Sequence, residues 1–202
     1  MKLYDGKAPN PKRVRVFMHE KGIEVPSVEL DVLGGDTRTP DFLKINSIGE
    51  VPALELDDGR VITESIAICR YLESQRPEPP LFGRDAADQA RVEMWNRRIE
   101  FGPHASISAI GRHVIPFFAD KLEQNPEYAE QERRVLAKEL TWLDADMADG
   151  RPFFTGDDFT VADITGMIIL VIGEFIDTPI PDELSNLKAW EGRVRARPSW
   201  SA

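Results

Sequence analysis

The sequence has 202 residues, 42% apolar and 30% charged, with 25 Lys and Arg against 35 Asp and Glu and a single cysteine. That length suits one large domain or two small ones with a core that needs no disulfide staples. One cysteine excludes an internal disulfide framework or a Cys-rich zinc module. The formal net charge of −10 argues against a nucleic-acid binder, which presents a basic face to phosphates, and against attachment to an anionic membrane surface. The opening Met1-Lys2-Leu3-Tyr4-Asp5-Gly6 lacks the apolar stretch of a signal peptide, and the most apolar run, Ile164 to Ile172, is far short of the roughly 20 residues that span a bilayer. The expectation is a soluble, cytoplasmic protein.

A short strand is predicted at Lys2 to Tyr4, followed by a turn over Asp5 to Pro9 and a helix with Val14, Phe17 and Met18 on one side that stops at Gly22. Ser27 to Val32 alternates as a half-buried strand does, and Gly34-Gly35 breaks it. A helical turn near Pro40 to Lys44 precedes two short strands, Ala53 to Leu56 and Arg60 to Thr63. Between them lies Asp57-Asp58-Gly59, a hairpin signal. Glu64 to Ser74 then reads as a helix, with Ile66, Cys69 and Leu72 at helical spacing. The order is β-α-β-α-β-β-α.

Pro77, Pro79 and Pro80 cannot continue a helix and mark a linker. Beyond it the pattern is helical throughout: Val92, Trp95 and Ile99; Leu136, Leu140, Leu143 and Met147; the very apolar Ile164 to Ile172; and Leu187, Trp190 and Val194. These spacings fit a helical bundle with the third, all-round apolar helix at its buried centre. The expected organisation is an α/β domain over 1–76, a linker over 77–86 and an all-α domain over 87–202.

Two stretches carry chemistry. In Ile48-Gly49-Glu50-Val51-Pro52-Ala53-Leu54, a proline opening a strand is a candidate cis site that turns the preceding backbone N–H and C=O outward, where Val51 can pair with a peptide-like ligand. The plainer reading is an ordinary strand-opening proline. In Thr63-Glu64-Ser65-Ile66-Ala67-Ile68, small polar groups sit at a helix start, where unpaired N–H groups and the helix dipole favour a carboxylate at Ser65 while Glu64 accepts from an ammonium group. The plainer reading is an N-cap.

Together these stretches, with the element order and the all-helical second half, resemble the cytosolic glutathione transferase superfamily. A further match is Gly156-Asp157-Asp158-Phe159-Thr160-Val161-Ala162-Asp163, similar to that family's capping box, in which Thr160 and Asp163 satisfy each other's backbone donors. The resemblance covers nearly the whole chain. It implies an α/β thioredoxin-like N-terminal domain that binds glutathione and an all-α helical-bundle C-terminal domain that supplies most of a second-substrate pocket. Carried over by position, Val51 binds the cysteinyl backbone with Pro52 cis, and Glu64 and Ser65 take the γ-glutamyl amino and carboxylate groups. Glu50 lies at the glycyl end, where an anion cannot bind a carboxylate, so Lys12, Arg13 or Arg38 contributes there.

In the bacterial, serine-type branches that this start resembles, the turn after the first strand carries a serine. Here Ala8-Pro9-Asn10-Pro11-Lys12-Arg13-Val14-Arg15 places Ala8 where the hydroxyl would be. Glutathione attacks as thiolate, and a thiol of ordinary pKa near 8.5 is only a few per cent ionised at neutral pH. With no hydroxyl at Ala8, the catalytic candidate is Asn10, whose amide N–H₂ can face sulfur at the helix N-terminus, with Lys12 adding longer-range charge. Asn10 reads equally as an N-cap. Tyr4 and Cys69 are alternatives, but Tyr4 lies inside a strand and Cys69 at an apolar helical position, which favours core roles for both.

For the second substrate, Phe101, His104, Ile107, Ser108, His113 and Phe117 are expected on the first helix of the bundle, kinked or interrupted by Pro103 and Pro116. The resulting expectation is a homodimeric transferase joining glutathione to a small, mostly apolar electrophile. With three histidines and one cysteine lacking ligand spacing, no metal is implied. Two rivals remain: a glutathione-dependent disulfide reductase and a non-catalytic glutathione-binding or interaction module.

Overall fold

Four short strands form a mixed sheet in the first eighty residues of the computed structural model, which describes residues 1–202. They are β1 (Lys2–Gly6), β2 (Ser27–Leu30), β3 (Ala53–Glu55) and β4 (Val61–Thr63), in the order β2-β1-β3-β4. β2 runs parallel to β1, whereas β3 is antiparallel to both β1 and β4. Leu3 stands opposite Leu54 and both are buried, while Tyr4 and Ala53 turn to the other face and pack on Phe42. Alternation of period two thus fixes both faces of the sheet.

The strand expected over Ser27 to Val32 ends at Leu30 and is not half-buried: Ser27, Val28 and Glu29 are exposed. β2 is an edge strand that pairs with β1 alone, and only its last residue, Leu30, reaches the layer formed by Tyr4, Phe42 and Ala53. Three helices complete this unit: α1 (Pro9–Lys21), α2 (Pro40–Ile45) and α3 (Ser65–Gln75). α1 starts with proline at its first position, buries Val14, Val16 and Phe17, and stops at Gly22, whose φ of 58° lets its N–H reach His19 O. That left-handed residue is the glycine-favouring end of a helix. At the same end Lys21 is buried; its ammonium pairs with Glu73 at 2.5 Å and donates to the carbonyls of Pro77 and Pro79.

The chain divides into residues 1–80 with 201–202, and residues 81–200. The stretch expected as a linker over 77–86 is therefore shared. Pro77 and Pro79 are held by Lys21 in the first unit, while Leu81 and Phe82 are buried and the Leu81 carbonyl accepts from Val161 N in the second.

The second unit consists of α4 (Ala86–Phe101), α5 (Pro103–Val114), α6 (Pro126–Asp146), α7 (Val161–Phe175) and α8 (Ser185–Arg195). The apolar residues that define the expected bundle are buried except for half-buried Val171, and α7 is its central helix, buried at every position from Val161 to Leu170. The stretch from Phe101 to Phe117 is not one helix. Phe101 ends α4, His104, Ile107, Ser108 and His113 lie on α5, and Phe117 sits in a 3-10 turn over Pro116–Phe118. Gly102, at φ −98° and ψ −115°, leaves helical space, and Pro103 then opens a new helix because it lacks the N–H that continuation needs.

α7 starts in the expected capping box. The Thr160 N–H donates to Asp163 Oδ2 at 3.0 Å and the Thr160 hydroxyl to the same oxygen at 3.3 Å. Asp163 is fully buried and does more than cap: its Oδ1 accepts from Phe154 N and from Trp190 Nε1, each at 3.0 Å. One carboxylate thus fixes the start of α7, the 153–156 turn and α8. Burial pushes its pKa up to about 6, against the four donors that hold it down. Asp163→Ala should destabilise the protein by about 2–4 kcal/mol, read as a lowered unfolding midpoint, because it leaves buried donors unpaired. A folded value above the ordinary carboxylate range near 3.9 means that this group's stabilising share is present below about pH 4 and lost as pH rises through about 6. The difference between wild type and Asp163→Ala should therefore be larger at pH 5 than at pH 7.5.

Candidate functional site

Tyr4 faces Ala53 across one ladder and Ala53 faces Thr63 across the next. The C-terminal end of β1, the N-terminal end of β3 and the C-terminal end of β4 therefore share one end of the sheet. Three segments leave it there: the turn into α1, the 46–52 loop and the junction of β4 with α3. Asn10, Asn46, Ile48, Glu50, Val51, Pro52, Glu64 and Ser65 line one cleft at that end. Six of the eight glutathione-site residues expected from the sequence are in this group; Lys12 and Arg38 are not.

The 46–52 loop is organised by Asn46, which is buried. Its amide donates to Glu50 O at 2.7 Å, and its Oδ1 accepts from Ile48 N at 3.2 Å. Arg38 donates to Ile48 O at 2.8 Å from outside the loop, so it braces the loop backbone. Gly49, at φ 68°, lies where a Cβ would come within 2.7 Å of both Arg38 Nη1 and Thr37 O, which leaves glycine as the residue that fits. The Val51–Pro52 peptide is cis. Pairing of β3 begins at Ala53, so the backbone groups of Val51 stand outside the ladder on the cleft wall. Glu50 is exposed, with its side chain clear of the loop's own hydrogen bonds.

At the β4–α3 junction, Glu64 precedes the helix with φ 64° and ψ 117° and makes no side-chain cap. A non-glycine residue with positive φ is held there by its surroundings, and such residues concentrate at ligand sites. Ser65 opens α3, and the first intrahelical bond is Ile68 N to Glu64 O at 3.0 Å. The N–H groups of Ser65, Ile66 and Ala67 therefore have no helical partner and form an anion-binding end. Arg13, expected as a candidate for the glycyl end, is buried and points here instead: its Nη1 donates to Ser65 Oγ at 2.9 Å. The cleft thus pairs a carboxylate-binding helix end with an acidic side chain able to take an ammonium group, beside an open stretch of backbone.

The helix cap at the start of α1 is Ala8, not Asn10. Ala8 is extended, at φ −149° and ψ 162°, its carbonyl accepts from Lys12 N, and it makes no side-chain cap. Asn10 is the second residue of the helix, exposed and on the cleft wall, which removes the N-cap reading and leaves its amide available to a ligand. Lys12 is two residues further along α1 and does not line the cleft.

Tyr4 is a core residue: its hydroxyl donates to Glu55 at 2.8 Å and its ring meets Phe42 edge-on at 5.7 Å. In the helical unit, Phe101 is 72% exposed against the Arg97 guanidinium. His104 and Ser108 are half-buried on α5. His113 accepts from Asn125 N at 3.0 Å and packs edge-on against Tyr128, which ties it to the start of α6. Phe117 lies under the Lys121 ammonium.

Asn46 and Ile48 escaped the sequence reading, as did the direction of Arg13. Asn46 left one signal, an asparagine at the end of a short helix just before a glycine turn, but its bonds to the loop backbone follow no periodicity. Cys69 is fully buried, and burial pushes its thiol up to about 12, although the nearby Arg13 charge pulls the other way. At pH 8 about one part in 10⁴ is thiolate. Cys69 should resist a thiol reagent in the native protein and react only in denaturant; fast labelling of the native chain would show that the α3 core opens.

Residues 8–75 match the glutathione S-transferase N-terminal domain, and residues 103–198 match the glutathione S-transferase C-terminal domain. The chain is 33% identical over 204 aligned residues to glutathione S-transferase 2 of Saccharomyces cerevisiae, covering 98% of this chain and 87% of that protein. Among solved structures, a glutathione S-transferase domain-containing protein of Marinobacter aquaeolei is similar with a TM-score of 0.91 and 40% identity, over 99% of this chain and 100% of that one. Gtt2 from Saccharomyces cerevisiae matches with a TM-score of 0.91 and 32% identity, over 100% and 99% of the two chains. With a mixed four-stranded sheet whose cleft carries the cis proline and the Glu-Ser helix start, followed by an all-helical unit, the chain belongs to the cytosolic glutathione S-transferase superfamily.

Proposed function

We propose that this protein is a glutathione transferase that adds the glutathione thiolate to a small, mostly apolar electrophile. The observation that carries the reading is the convergence of Asn10, Glu50, Val51, Pro52, Glu64 and Ser65 on one cleft. Each part of the tripeptide needs a different chemistry, and the α3 helix end, Glu64 and the Val51 backbone support the reading for its γ-glutamyl and cysteinyl parts. The γ-glutamyl carboxylate docks on the N-terminus of α3 and the Ser65 hydroxyl, and its ammonium on Glu64. The cysteinyl backbone pairs with Val51 as an added strand would. Lys12, two residues from Asn10, and Arg38, hydrogen-bonded to Ile48, supply charge for the glycyl end from behind the wall.

The thiol then lies toward the start of α1. Ala8 offers no hydroxyl there, so stabilisation of the thiolate falls to the Asn10 amide and the helix end. A helix N-terminus supplies about 0.3–1 kcal/mol when exposed and up to about 2 when partly buried, which makes activation modest. The electrophile is assigned to the helical unit, with Phe101, His104, Ser108 and Phe117 as the candidate contacts. A homodimer and a cytoplasmic location complete the proposal. The second reading, a glutathione-binding module without turnover, is favoured by Ala8 itself.

Calorimetry with glutathione, followed by a panel of electrophiles and a model mixed disulfide, separates these readings. Conjugation is the expected result; turnover of the disulfide alone supports a reductase, and binding with neither activity supports the module. Asn10→Ala should raise the apparent pKa of bound glutathione and slow conjugation about tenfold or more, the scale of a hydrogen bond to a charged group. An unchanged pH–rate profile would remove Asn10 from the mechanism. Ala8→Ser should increase the thiolate fraction at neutral pH, measured by its ultraviolet absorbance; no change would show that the sulfur does not sit at residue 8.

A further inference from the structure

We propose that Arg13 is a positioning residue that fixes the Ser65 hydroxyl as a hydrogen-bond donor to the γ-glutamyl carboxylate. The proposal rests on the glutathione reading above, since it names the group that this end of the cleft recognises. Arg13 is 2% exposed on α1 and Ser65 is 6% exposed at the first position of α3. Their contact, Nη1 to Oγ at 2.9 Å, is buried and joins residues 52 apart in sequence.

A hydroxyl has one hydrogen and two lone pairs, and a guanidinium has donors only. The contact can therefore run in one direction. Arg13 occupies a lone pair of Ser65, and the hydroxyl hydrogen is left to point elsewhere. Ser65 lines the cleft beside the unpaired N–H groups of α3, so an anion docking at that helix end meets a hydroxyl already turned to donate. The bond from a charged donor also polarises the hydroxyl and strengthens the bond it makes in turn.

The arrangement separates two jobs that a direct arginine–carboxylate pair would combine. A cation facing the cleft would lose its water each time the ligand bound. Arg13 is desolvated on folding, so its charge acts on the carboxylate from one hydrogen bond behind, with no further ordering at the moment of binding. Arginine suits the position because it stays charged when buried, where lysine shifts its pKa readily. A residue that merely held α1 against α3 would support every ligand equally; Arg13 should matter only for a ligand that carries the carboxylate.

Calorimetric titration of the full chain with glutathione and with γ-aminobutyryl-cysteinylglycine, which keeps the amine but lacks that carboxylate, tests this. Arg13→Gln should weaken glutathione about 10- to 100-fold and change the analogue by less than about twofold. Ser65→Ala should do the same, and adding Arg13→Gln to it should cost little more. Equal weakening of both ligands by Arg13→Gln, or full additivity with Ser65→Ala, overturns the proposal while leaving the glutathione reading intact. A wild-type chain that does not bind glutathione overturns both. The wild type offers a measurement free of any folding defect: with isotope-labelled arginine, the Arg13 side-chain resonance should move on saturation with glutathione and stay in place with the analogue. A resonance that ignores glutathione overturns the proposal.

Discussion

Ala53 stands between Tyr4 and Thr63, and that register is the constraint from which the site follows. It is set by burial. Leu3 and Leu54 face one layer together, and Tyr4 and Ala53 share the other with Phe42. A slip of one residue would send each of these to the wrong side of the sheet. It would also draw Val51 and Pro52 away from Glu64 and Ser65, which follow the paired residues directly in sequence. The packing of five apolar side chains thus decides which backbone groups meet a ligand.

The buried polar groups serve the same end by another route. Asp163 and Lys21 are each deep inside their unit and each bind several partners, Asp163 the donors of three segments and Lys21 two proline carbonyls and Glu73. Burying such charges carries a desolvation cost, which the raised pKa of Asp163 makes visible. What they supply is position. An apolar side chain at 163 would pack, but it would not dictate where the Phe154 N–H and the Trp190 indole lie. Asn46 does this at smaller scale for the loop that carries Val51.

The division between what sequence reveals and what it hides follows from these roles. Helix period, proline, glycine and the Asp-Gly hairpin are local, and they locate every strand and α-helix of the first unit to within a few residues. Val51-Pro52 and Glu64-Ser65 were legible because cis-capable proline and a polar helix start have recognisable chemistry. The direction of Arg13 is not legible from its neighbours in sequence, because it depends on how α1 packs against α3, 52 residues away. The alternation of Ser27 to Val32 suggests a half-buried strand because it does not say how far the covering layer extends, and that layer reaches Leu30 alone. The stretch from Phe101 to Phe117 was read as one interrupted helix, since Pro103 can either kink a helix or begin one; the backbone of Gly102 decides between them.

The whole-molecule charge makes the local arrangement necessary. At −10 the chain does not attract a tripeptide anion through its overall field, and surface charges more than about 10 Å away are screened at ordinary salt in any case. In the proposed reading, recognition comes from groups within a few ångströms that solvent cannot screen. The N-terminus of α3, a hydroxyl held by a buried guanidinium and a strand-like stretch of free backbone are such groups, and they are desolvated or fixed before a ligand arrives. The surface acidity is then free to vary: in that reading, substitutions that change net charge far from the cleft leave these contacts as they are, whereas a change at Arg13, invisible from the surface, removes the bond that holds the Ser65 hydroxyl.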